Sequence, residues 1–289
     1  MRKQTIRDAG HDVVNPLPHK KYLPVFLGAV VAVAAFVMLF VTGVLKVAQL
    51  SNIAALLAAV IAIVLWIQMY RSPLTTDIER SRLVGFVPMF VASVAFWSLF
   101  QQQFTVIALY SDERLNRNLF GIEVPPGMVQ SINPLFIILF AAVFGALWTK
   151  LGDKQPSYAV KFSMALGLIG VALLLFIPFA GGGANSTPMW VMVLILFLFT
   201  MGELMLSPVG NSMATRLAPK AFPTRMFGLW LLSISLGTAL SGSLAGFYNP
   251  DDASAERTYF LAMFAVMIAL GALIFLARKW IVKKFVDVH

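Results

Sequence analysis

One acidic residue, Glu203, lies inside a long apolar stretch, the run from Pro188 to Pro219. The other twelve of the thirteen acids fall in short polar connections or near the ends of the chain. A carboxylate at mid-membrane depth costs roughly 2.5–3.5 kcal/mol on insertion scales. A proton, a substrate amine or a partner cation can offset that cost; a permanently protonated acid bonded to a neighbouring helix is the plain alternative. Projected on a helix, Thr200, Glu203, Ser207, Gly210 and Ala214 share one small, polar face, with Leu196, Phe197, Leu204 and Met205 turned elsewhere. Pro208 removes a backbone N–H and frees the Leu204 carbonyl, so the helix can bend beside the acid. That suits a group that gains and loses a proton or ligand, and a static kink is the other reading.

A second polar group stands in another apolar run: Trp97, Ser98, Gln101, Gln102, Gln103 and Thr105. Trp97, Gln101, Thr105 and Ala108 repeat at helical spacing. Three consecutive amides cannot all face lipid, because an unpaired amide there costs several kcal/mol. One or two must therefore meet a cavity or a neighbouring helix. A third group, Gln130, Ser131 and Asn133, precedes Pro134. Ser233, Gly237, Ser241 and Ala245 recur every four residues, a stripe that close helix packing explains. Trp230, near the start of that run, reads first as a packing or interfacial anchor. The glycines at 181–183 read as a flexible connection.

The elements that must carry these residues are membrane helices. Hydrophobic residues make up 59% of the 289 and charged residues 12%, and the mean hydropathy is +0.83. No soluble domain sustains such a composition. Apolar runs predict eight spans, at 22–46, 52–70, 83–110, 129–149, 158–180, 188–217, 226–248 and 258–280. Strand-period alternation is absent, so the expected class is all-α rather than a barrel. With the N-terminus assigned to the cytoplasm, eighteen of the 22 Lys and Arg fall on inner segments and four outside. That asymmetry sets the orientation, places both termini inside, and accounts for the net charge of +9 without a nucleic-acid partner. The first apolar run exceeds a signal-peptide core and lacks a cleavage pattern, so it reads as a retained helix. With no cysteine, and with His11, His19 and His289 outside the spans, thiol chemistry and an intramembrane metal centre lack ligands. The composition argues against an enzyme.

The stretch GELMLSPVGNSMATRLAP followed by FGLWLLS resembles helices ten and eleven of the proton-coupled oligopeptide transporters, a branch of the major facilitator superfamily. FWSLFQQQFTVIALYSDERLNRN is similar to that family's helix seven, and QSINPLFIILFAAVFGALW to its helix eight. The uniformly apolar hairpin at 22–71 matches the two extra helices of bacterial members. The resemblance implies a cytoplasmic linker at 1–21, that hairpin, a cytoplasmic hinge at 72–82, a carboxy-terminal six-helix bundle at 83–280 and a cytoplasmic tail at 281–289. It further implies a bacterial inner-membrane symporter for di- and tripeptides, driven by the proton gradient with no cofactor.

By the same resemblance, Glu203 matches the glutamate that engages the peptide's amino terminus and couples protons. Asn133 matches a binding-site asparagine, and Trp97 and Trp230 match pocket aromatics. Ser207 belongs to the motif, with helix architecture as its first reading. Gln101 stands where several members carry a titrating glutamate, so a proton-coupling role there is lost or moved. The family's amino-terminal six-helix bundle has no counterpart in these residues, and the expectation is half of a transporter, inactive alone. Half of an amino-acid or drug facilitator, or a non-transporting membrane subunit or scaffold, are the alternatives.

Overall fold

The computed structural model describes residues 22–43, 47–119, 121–286 and 288. The linker at 1–21, with His11 and His19, lies outside the described residues, as does His289. The chain divides into two units, Met1–Leu50 and Ser51–His289. Within the first unit, α1 (Tyr22–Val41) is an uncharged helix of 20 residues. Helix α2 (Val47–Arg71) begins in the first unit and runs into the second.

In the second unit the order is α3 (Asp77–Phe100), a 3-10 turn (Gln101–Phe104), α4 (Val106–Glu113), a short α5 (Pro126–Val129), α6 (Ile132–Leu151), α7 (Tyr158–Leu174), α8 (Met189–Leu217), α9 (Pro223–Ala245) and α10 (Ala253–Phe285). Eight helical segments among the described residues are long and apolar enough to cross a membrane, and the protein is all-α and multi-pass. The strands are two-residue clips in the loops: β1 (Leu115–Asn116) pairs in parallel with β4 (Thr187–Pro188), and β2 (Asn118–Leu119) pairs antiparallel with β3 (Ile122–Glu123).

Helix ends differ from the apolar runs because capping chemistry, not hydropathy, sets them. Helix α3 starts at Asp77 rather than 83. Thr76 Oγ1 accepts from the Glu79 N–H at 3.3 Å, and the Glu79 carboxylate accepts from the Thr76 N–H at 2.8 Å. The other Glu79 oxygen accepts from the Lys220 N–H at 2.8 Å and ties this end to the connection before α9. At the far end, Asp252 caps α10, which starts at Ala253 and runs to Phe285, outlasting the expected 258–280 at both ends.

Helix α7 packs against α8 and α10, α3 against α9 and α10, and α6 chiefly against α8. Phe86, Phe96, Phe162, Phe176, Phe199, Phe260 and Trp230 fill the core between them. The stripe on α9 is the seam to α3, as packing alone predicts. Ser233 and Ser93 share a hydrogen bond of 2.7 Å. A Cβ at Gly237 would press on Val94 O and the Trp97 Cβ, so only glycine permits this backbone approach. Within the second unit, α2 turns Ala55, Ala58 and Ala62 inward and leaves Leu56, Leu57, Val60 and Ile61 exposed.

The third apolar run is not one helix. The glutamines form the 3-10 turn, and Thr105 leaves helical geometry with φ −123 and ψ −91. A 3-10 residue advances about 120° rather than 100°, so the face projected through Trp97, Gln101, Thr105 and Ala108 breaks: Trp97 is buried and Thr105 exposed. Gln101 Nε2 donates to Thr238 Oγ1 at 3.3 Å and Gln102 Nε2 to Ser241 O at 3.2 Å, both on α9. The Gln103 amide is buried without a partner among the described residues.

Candidate functional site

Helix α8 is continuous through Pro208 and carries Glu203 near its middle. Asn133, at the second position of α6, is the only buried residue of that helix. Its Nδ2 donates to Thr200 Oγ1 at 2.9 Å and to Glu203 Oε2 at 3.3 Å. Thr200 Oγ1 in turn donates to Leu196 O on its own helix at 2.8 Å, so it can still accept from the amide. The Asn133–Thr200 pair thus holds one Glu203 oxygen, while Oε1 has no hydrogen-bond partner among the described residues.

The carboxylate borders a cavity of about 320 Å³ between α6 and α8. Ile137, Ala141, Phe144, Gly145 and Trp148 supply one wall, and Glu203, Leu204, Ser207, Pro208 and Asn211 the other. The cavity therefore opens toward the Leu204 and Asn211 side of Glu203. Thr200, Gly210 and Ala214 turn into the bundle instead, so the projected face splits into a packed half and an open half. Leu204, expected to point elsewhere, lines the cavity. One mostly apolar pocket with a carboxylate oxygen left unbonded suits capture of a small cationic group.

Of the residues singled out in the sequence, Glu203 and Ser207 line this cavity and Asn133 is bonded to it. Trp97, Gln101 and Trp230 do not line it. Trp97 is buried edge-on against Phe96 and Phe100, with its indole N–H unpaired among the described residues. Trp230 is fully buried over Gly210, and its Nε1 donates to Asn211 Oδ1 at 2.7 Å. In this structure it is the packing anchor, reaching the cavity only through Asn211. Sequence reasoning missed Asn211, although it sits four residues beyond Ser207 and so one helical turn along the same side.

A wholly buried carboxylate away from this site was also missed. Glu256, in the first turn of α10, is wholly buried. Tyr248 donates to its Oε1 at 2.8 Å, and the Gly181 N–H donates to its Oε2 at 2.7 Å. The Arg114 guanidinium bonds both Glu256 and the Pro250 carbonyl. Gly181, with φ +78, belongs to this clamp rather than to a loose connection, and a Cβ there would strike Ala253. Burial, then the bond to Glu256 and its negative charge, push the Tyr248 hydroxyl well above the ordinary tyrosine value. No signal in the sequence joins Arg114 to Glu256, 142 residues apart.

The sequence model of the POT family matches residues 21–261. The chain belongs to the POT family. An uncharacterized transporter of Bacillus subtilis, YclF, is 36% identical over 95% of this chain and 56% of its own length. A di-/tripeptide transporter of Lactococcus lactis subsp. cremoris is 32% identical over 82% of this chain and 48% of its own length. The crystal structure of a peptide transporter POT, in a glutamate-to-glutamine mutant bound to alafosfalin, matches with a TM-score of 0.82 and 37% identity, covering 96% of this chain and 56% of that one. A POT family transporter in complex with 5-aminolevulinic acid matches with a TM-score of 0.81 and 35% identity, over 92% and 56%. The chain thus spans about half the length of these POT relatives.

Proposed function

We propose that this chain supplies the carboxy-terminal half of the midplane cavity of a proton-coupled di/tripeptide symporter. The observation that carries the reading is Glu203: a carboxylate halfway along a membrane helix that lines a cavity and is held by Asn133 on one oxygen. One carboxylate can hold a proton or a peptide α-ammonium but not both, so peptide and proton binding become linked at this side chain. Ser207 and Asn211 offer polar contacts along the same wall, and Trp230 holds Asn211 in place. The naming of relatives as di-/tripeptide transporters supports the substrate class.

A rocking transporter works by moving one bundle against another around its site. In this reading the second wall comes from an amino-terminal bundle, and residues 1–289 alone insert without accumulating peptide. The test joins this chain to the amino-terminal half of a relative and measures uptake into proteoliposomes under an inward proton gradient. Dipeptide uptake that free amino acids do not compete supports the reading. Competition by amino acids sinks the peptide assignment, and concentrative uptake by residues 1–289 alone sinks the half-transporter assignment.

The proposed location is the bacterial cytoplasmic membrane, with both termini and the connections near 71–76, 150–158 and 217–223 inside. Leu74→Cys and Ala184→Cys, each exposed and placed in a cysteine-free chain, should label from opposite sides. Labelling of both by an impermeant reagent added outside would reverse the orientation argument.

A further inference from the structure

Trp148 of α6 stands between two cavities. One face borders the Glu203 cavity and the other a smaller space of about 190 Å³, where α6 ends, α7 begins and α8 approaches its last turns. Gln155, Tyr158, Lys161, Ser212 and Arg216 supply the polar part of its lining. Lys161 is 4% exposed. Its Nζ donates to Gln155 Oε1 at 2.6 Å and lies 4.1 Å from the centre of the Trp148 ring. Both contacts are neutral.

Among the described residues no carboxylate pairs with Lys161 or Arg216. A lysine is almost never buried this deeply without a counter-charge. The cation–π contact offsets part of its desolvation and leaves the charge uncompensated. Further donors converge on the same space. Ser212 Oγ, the Tyr158 hydroxyl and the Arg216 guanidinium make no hydrogen bond among the described residues, and all three line the pocket. Lys150 and Lys154 at the adjoining helix end outnumber the one acid there, Asp153, and leave that end net positive. The pocket therefore offers two cations and two hydroxyls and no anion.

We infer that this pocket is an anion site that takes a phosphate group, from an acidic phospholipid headgroup or from free inorganic phosphate. Lys161 supplies a fixed charge at the base, oriented by Gln155 and Trp148. Arg216 closes from the exposed side with its planar fork, which matches phosphate oxygens in pairs. Placement at helix ends, beside an aromatic, puts the site at headgroup depth, where basic pockets between membrane helices bind acidic lipids. The inference does not depend on the transport reading.

The test uses the purified chain in neutral detergent. Thermal unfolding is followed while phosphatidylglycerol, phosphatidylcholine or inorganic phosphate is titrated, and native mass spectrometry counts retained lipid. Saturable protection by phosphatidylglycerol but not phosphatidylcholine is expected, with Arg216→Gln weakening it by about tenfold, as loss of a charge-assisted bond requires. Arg216 is exposed, so this variant does not put folding at risk; Lys161→Gln should abolish the protection. Protection by phosphate alone would assign the free anion as sufficient, and protection by the lipid alone would assign the headgroup. No protection from either ligand overturns the site. So does equal protection of wild type, Arg216→Gln and Lys161→Gln, or an equal loss in Lys150→Gln, which would mark general surface attraction.

Discussion

Glu256 and Glu203 are both drawn into the helical bundle, and they are treated in opposite ways. Glu256 receives three partners: the Tyr248 hydroxyl, the Gly181 N–H and the Arg114 guanidinium. It is wholly buried. Those partners come from three separated stretches of chain, so the ion pair closes the end of the bundle where α4, α9 and α10 meet. Among the described residues Glu203 receives a single bond, from Asn133, and lines a cavity. A saturated carboxylate is a fastener, because any movement leaves a buried charge unpaired. A half-saturated one is available to a ligand. Glu256 is wholly buried and fully bonded, whereas Glu203 is half-buried and keeps one oxygen unbonded, and both differences separate the structural acid from the candidate functional one.

The comparison breaks most easily at Glu256. Glu256→Gln leaves the Arg114 guanidinium buried against a neutral amide, and unfolding in detergent should show a loss of about 3–5 kcal/mol. A loss under about 1 kcal/mol would mean that water reaches the pair and that the contrast with Glu203 is false. Tyr248→Phe removes one of the three donors and should cost about 1.5–3 kcal/mol, the range for a bond to a charged acceptor. It also carries a pH signature. The Tyr248 hydroxyl is raised in the folded state, so the folded chain holds that proton more tightly than the unfolded one. Its stabilising effect is whole below the ordinary tyrosine value of about 10 and declines as the pH climbs beyond it. The Phe variant should show a shallower alkaline loss than wild type; identical slopes would remove Tyr248 from the network.

Gly210→Ala sharpens the contrast from the other side. The added methyl would enter the Trp230 ring, and overpacking of this kind costs about 1–3 kcal/mol. Because Trp230 holds Asn211, the same variant should also disturb the Glu203 cavity, read as weaker dipeptide binding in the joined transporter. The smallest stability effect is expected at Glu203→Gln, within about 1 kcal/mol, since the amide oxygen still accepts from Asn133. Yet this variant should lose dipeptide uptake in the joined transporter. If uptake persists at the wild-type rate, the acid is a neutral structural group and the contrast collapses.

Much of the architecture was legible because lipid imposes a crude rule. A backbone crossing hydrocarbon must satisfy itself in helices, and its side chains must be apolar, so eight runs in the sequence became eight helices long enough to cross. Glu203 was legible for the same reason: a lone acid stands out where every neighbour is apolar. Helix ends were not, because Thr76, Glu79 and Asp252 are polar residues that start helices and so look like loop. The break at Gln101–Phe104 was invisible to a projection that assumes one uniform period.

The sequence by itself determined the class, the spans and the carboxylate at membrane depth, since each follows from the local cost of a side chain in hydrocarbon. Only the tertiary structure decided which side of Glu203 opens, because that depends on where α6 lies against α8. It alone placed Trp230 over Gly210 and not in the cavity, and it alone joined Arg114 to Glu256. Those outcomes rest on contacts between residues far apart in the chain, and a charge or an indole carries no local mark of the partner that the fold will bring to it.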